Sequence, residues 1–122
     1  MKLSVGSLTK GLTFHGEVQG KRQHYYILSS ARQYFVMSNS ANKPAAGNFN
    51  IVRKSAVDRI GRRLRGQSGL TAKLVYTRTR TRRDVPSRLA ALNILYVLVG
   101  TGRAKFDNRH KSKELFFNVL RR

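Results

Sequence analysis

Residues 76–83 read YTRTRTRR, four arginines interleaved with three threonines. A guanidinium presents a fixed fork of N–H donors that matches two oxygens of one phosphate, and a threonine hydroxyl adds a further donor. Read with a period of two, Arg78, Arg80 and Arg82 share one face and the threonines take the other. Arg83 extends the run, and Asp84 is the one acid beside it. The chemistry on offer is therefore binding of a polyanion. Arg59, Arg62 and Arg63 form a second basic group on one side of a helical stretch. With Arg65 they either track a phosphate backbone or form that helix's wet face, and Arg53 and Lys54, just before the helix, are candidates for the same patch.

Residues suited to catalysis are few. His15, Glu17 and His24 lie close together in HGEVQGKRQH, and His and Glu can ligate a zinc ion that activates water. Their spacing fits no ligand pattern with a physical basis. Two-metal nucleases need clustered carboxylates, whereas this chain has five acids spread from Glu17 to Glu114. The segment GTGRAK lacks the spacing of a phosphate-cradling glycine loop. We expect no catalytic residue, metal or cofactor. A small metal-dependent nuclease is kept as the second alternative.

The whole chain carries 25 Lys and Arg against 5 Asp and Glu, a formal charge of +20. A folded domain with that excess repels itself unless an anion lies against it. Nucleic acid is the expected partner, through phosphate contacts whose strength falls with salt. Double-stranded DNA is favoured over RNA, with an RNA-binding or ribosome-associated protein as the first alternative. A hydrophobic content of 40% is too high for a disordered basic tail. The length of 122 residues suits one compact domain. Without cysteine, disulfides and thiolate-zinc sites are excluded. No signal-peptide pattern opens the sequence, and the longest largely apolar run, 89–99, is about half of a bilayer span. The expected setting is intracellular, in the cytoplasm with the nucleoid or in a nucleus, with no membrane partner. Nothing in the sequence sets an oligomeric state.

The elements that must position these residues follow from pattern. HYYIL (24–28) and QYFVM (33–37) alternate aromatic and β-branched residues and read as a hairpin. Tyr25, Tyr26, Tyr34 and Phe35 within it are core residues or a stacking platform for unpaired bases. Residues 38–48 form a loop, and FNIV (49–52) is a further strand. Residues 1–20 give little structural signal. A helix over 55–65 is expected, with Ser55 and Asp58 as a capping box, Val57, Ile60 and Leu64 inward, and Gly66 as the left-handed stop. Residues 70–82 read either as a strand or as a short helix capped by Thr71 and burying Leu74 and Val75. Asp84 or Ser87 caps the next helix, 88–99, which is apolar nearly all round and ends at Gly100 and Gly102. RAKFDN and ELFFNVL then form a hairpin with a cationic tip. The fold class is α+β. A β-hairpin-rich portion, 1–50, packs with a basic portion, 51–122.

From Ser55 onward the order of elements resembles a winged helix-turn-helix domain. LAALNILYVLVGTGRAKFD followed by KELFFNV is similar to its helix-to-wing passage. The resemblance implies a short helix beginning at Thr71, a turn, a second helix and a wing. It also implies contacts from the helix tip at Ser87 and Arg88 and from the wing tip at Arg109, Lys111 and Lys113. A recognition helix exposes polar side chains to base edges, and here only Ser87, Arg88 and Asn93 are on offer. The implied function is non-catalytic DNA binding with modest sequence preference.

Overall fold

The computed structural model describes residues 12–20, 24–39, 47–107 and 114–121. Four strands come first: β1 (Thr13–Gln19), β2 (His24–Ser29), β3 (Gln33–Asn39) and β4 (Gly47–Arg53). They form one antiparallel sheet in sequence order. Three helices follow, α1 (Lys54–Leu64), α2 (Ala72–Thr79) and α3 (Arg88–Gly100). A two-stranded sheet of β5 (Ala104–Phe106) and β6 (Phe117–Val119) completes the described chain. Leu70 adds a bridge to Phe117, so the stretch before α2 is tied to β6. The architecture is α+β, as the sequence indicates.

The hairpin of β2 and β3 sets Leu28 opposite Phe35 and Tyr26 opposite Met37. Its two sides differ in what they meet. Tyr25, Ile27, Tyr34 and Val36 point to the helices, joined by Val18 from β1 and Val52 from β4. Tyr26, Leu28, Phe35 and Ile51 lie on the opposite side by register. Strand β1 has no clear signal in the sequence. A bulge between Phe14 and Gly16 breaks its alternation, and a single side chain, Val18, is buried along it.

Strand β4 runs into α1 without a connecting loop, which corrects the expected start of that helix. The N-cap position is Arg53, and no side chain caps it. The Lys54 N–H instead donates to the Arg32 carbonyl in the β2–β3 turn, at 2.9 Å. Ser55 is therefore one residue inside the helix, and Asp58 turns to Arg103 rather than to a cap. The end is as expected: Gly66 has φ of 75°, and its N–H reaches the Val119 carbonyl at 2.9 Å. Residues 72–79 are helical, and the Thr71 hydroxyl accepts from the Leu74 N–H at 3.1 Å. Val75 is buried in α2, whereas Leu74 is 37% exposed.

Helix α3 is the centre of the core. Ala91 and residues 93–98 are buried without a break, because the sheet covers one side and α1, α2 and β6 take the others. Tyr96 stacks on Tyr25 of the sheet, with centroids 4.5 Å apart, and meets Phe117 edge-on at 6.2 Å. Burial pushes the Tyr96 phenol upward, with Tyr25 adding to the effect. At the end of α3 the sheet comes close enough to demand glycine. A Cβ on Gly100 would stand 2.4 Å from Cγ1 of Ile27, well inside van der Waals contact. Helix propensity alone would favour alanine there by about 0.5–1 kcal/mol. We expect Gly100→Ala to destabilise the protein by about 1–3 kcal/mol in urea melts, with the Gly100→Ala, Ile27→Ala double variant less destabilised than the sum of the two single variants. A stabilised Gly100→Ala variant would contradict this packing.

Candidate nucleic-acid interface

The arginine run spans the end of α2 and the turn to α3. Thr79 is buried, and its hydroxyl donates back to the Val75 carbonyl at 2.6 Å. The Arg80 N–H closes the helix on the Tyr76 carbonyl at 2.9 Å. Thr81 and Val85 then exchange two backbone hydrogen bonds of 3.2 Å each. The Thr81 hydroxyl accepts from the Asp84 N–H at 2.8 Å. Val85 is fully buried and anchors the turn. Thr79 and Thr81 thus fold the segment, and Arg80, Arg82 and Arg83 project from it exposed. A tight turn, not alternation along a strand, presents them, with Arg80 and Arg82 beside one depression and Arg83 beside another.

Asp84 is held within the protein. Arg59 donates to both its oxygens, Nε to Oδ2 at 2.8 Å and Nη2 to Oδ1 at 2.7 Å. The Asp84 side chain is only 10% exposed. Its carboxyl lies below the usual range, chiefly through the hydrogen bond from Arg59, with the charges of Arg59, Arg83 and Arg53 adding and burial opposing. The guanidinium of Arg59 is driven upward in turn, first by its bond to Asp84. Arg59 is therefore a strut between α1 and the turn, and its fork is already occupied.

The remaining sites divide. Arg63 donates to the Arg78 carbonyl at 3.3 Å, and Arg78 donates to Gln67 Oε1 at 3.0 Å, so both lie exposed where α1 meets α2. Arg62 is on another flank of α1, lining a depression with Asp58, Arg65 and Arg103. Ser87 caps α3 by accepting from the Ala90 N–H at 3.1 Å; Asp84 does not perform that role. Ser87 and Arg88 are exposed at the first turn of α3, where Leu89 is 57% exposed. Arg53 joins this group, since a groove between β4 and the start of α3 is lined by Arg53, Arg83, Ser87 and Leu89. The sequence suggests Arg53 for the basic patch of the helix it precedes, whereas it faces Arg83 and the first turn of α3. Arg109, Lys111 and Lys113 lie outside the described residues.

Helix α3 does not present a reading face. Asn93 is 5% exposed, so it cannot reach a base edge, contrary to the expectation that it is on offer. Only the first turn of α3 is accessible, because the four-stranded sheet lies along the rest. The three candidate metal ligands also do not converge. His24 pairs with Glu17 at 3.4 Å, whereas His15 bonds to Ser29 Oγ at 2.7 Å. Among the described residues no group of three or more His, Asp or Glu side chains could hold a metal. No helix among them is long and apolar enough to cross a membrane. Comparison with protein-family models, curated proteins and solved structures finds no match to the chain.

The Arg59–Asp84 pair makes stability depend on pH. A carboxylate whose folded pKa is depressed stabilises above its ordinary value of 3.8 and loses that contribution as pH falls through the folded value. We expect Asp84→Asn to be less stable than the parent at neutral pH and to converge with it in strong acid. Urea melts across that range test this, and parallel stability curves for the two proteins would refute the role of the pair.

Proposed function

We propose that this protein binds nucleic acid without catalysis, and that the turn between α2 and α3 is its principal contact. The observation that carries this reading is the local charge balance. Arg78, Arg80, Arg82, Arg83 and Arg88 are all exposed around the turn, and its one carboxylate is taken by Arg59. Cations gathered this way without a counter-charge suit a chain of phosphates, where each contact releases a counterion. Arginine's fork gives the contacts direction.

The order of elements supports duplex DNA over RNA. The helices, the bridge of Leu70 to β6 and the β5–β6 pair follow the same sequence as in a winged helix-turn-helix domain, a family whose second helix lies in the major groove. This chain departs from that mode, since α3 is covered along its length. The reading here is a helix tip and turn pressed on the backbone. Contacts of that kind position a protein and carry little sequence information, so sequence preference is modest.

The test is a salt titration of the triple variant Arg80→Ala, Arg82→Ala and Arg83→Ala on unrelated duplexes. We expect weaker binding to all of them alike, with the slope of log K against log salt smaller in magnitude by about 2–3, at roughly 0.9 for each phosphate that is no longer neutralised. An unchanged affinity and slope would make the turn ordinary wetted surface. Equal or tighter binding to duplex RNA at the same salt would move the reading to RNA.

A further inference from the structure

A second basic cluster sits on a different flank of α1, built around the ring of Tyr34. His15 approaches the ring edge-on, with centroids 5.6 Å apart. The Lys54 ammonium stands 5.5 Å from the ring centroid. The Arg103 Nη2 donates to the Tyr34 hydroxyl at 3.1 Å. Tyr34 itself is buried, so one fixed ring holds three basic side chains from three parts of the chain. His15 reaches this place because it is the extra residue of the β1 bulge, with Ser29 of β2 bonded to its Nε2. Arg103 comes from the turn after α3 and is steadied by Thr101 Oγ1 at 3.1 Å.

The acid at this place is Asp58, which lies 3.1 Å from Arg103 Nη1. Among the described residues no carboxylate pairs with Lys54 or His15. His15 is held below the ordinary histidine range, first by burial and then by the charges of Lys54 and Arg103. The charges of Lys54 and Arg103 disfavour a proton on His15, and an anion bound beside all three would favour it. Asp58 and Arg59 are consecutive on α1, about 100° apart around the axis, and they serve the two clusters separately: Asp58 takes Arg103 and Arg59 takes the turn.

We propose that His15, Lys54 and Arg103 form a phosphate-binding site distinct from the arginine turn. Lys54 and the protonated His15 donate to the phosphate oxygens, while Arg103, paired with Asp58, holds the Tyr34 hydroxyl and adds only longer-range charge. The phosphate belongs either to a nucleic-acid backbone or to a small phosphate-bearing molecule. The site goes beyond the proposed function, since it needs only a phosphate group.

The test follows the His15 and His24 ring signals by NMR while the full chain is titrated with inorganic phosphate. We expect saturable shifts at His15 with His24 unmoved, and a higher His15 pKa in the saturated protein. Lys54→Gln should bind phosphate about tenfold more weakly, through removal of one charge-assisted hydrogen bond. His15→Gln, read by phosphate-dependent thermal stabilisation, should lose most of the parent's gain. Stationary His15 signals, or shifts that never saturate and run in parallel at His24, would overturn the site whether or not the protein binds DNA. A second arm identifies the source. If Lys54→Gln flattens the salt dependence of duplex binding, the phosphate is a backbone phosphate. If that slope is unchanged while inorganic phosphate binding is lost, the ligand is a free phosphate-bearing molecule, and the site stands in both cases.

Discussion

The contact of the four-stranded sheet with α3 governs what this protein can present to a partner. The backbone of Gly100 lies against Ile27, and Tyr25 stacks on Tyr96. With α1, α2 and Phe117 on its other sides, α3 keeps no length of free surface from residue 93 to 98. A helix enclosed in this way is an efficient core element, since nearly every apolar side chain leaves water. Its cost is functional: its middle cannot enter a groove. Of α3 itself, only the ends and the segments joined to them can meet a partner.

The turn before α3 is shaped by the same constraint. Val85 is drawn into the core, the Thr81–Val85 bonds close the turn, and Arg59 clamps Asp84 from α1. Neighbouring arginines are thereby pushed outward on a rigid base. Three of the few acids are engaged within the fold. Asp84 holds Arg59, Asp58 holds Arg103, and Glu17 faces His24. With all five acids counted, the formal charge is still +20. That excess remains as a field that draws in anions and weakens with salt.

Elements with strong local chemistry are legible in the sequence. The β2–β3 hairpin rests on pairing across a short turn and the Gly66 stop on glycine's left-handed backbone, which pattern can report, whereas the Thr71 and Ser87 caps are each one of two readings that pattern leaves open. Strand β1 is not legible, because its bulge and Gly16 erase the alternation. The start of α1 is misread because its first N–H finds a carbonyl in another turn, at Arg32, and Ser55 is not needed. Arg59 and Asn93 carry the same lesson for the site. Both are polar residues on helices in a basic chain, yet one is tied to Asp84 and the other is buried. The cluster at Tyr34 depends on pairings across the sheet and helices, so the positions of His15, Lys54 and Arg103 in the sequence give no sign of it.

The central claim is that α3, enclosed along its length, meets DNA only through its tip, beside the preceding turn. Backbone amide shifts on addition of a short DNA duplex test it most directly. The account predicts changes concentrated at residues 78–89 and at Arg53 and Arg63, with the amides of residues 93–98 silent. Large shifts along residues 93–98, with the turn unaffected, would contradict it.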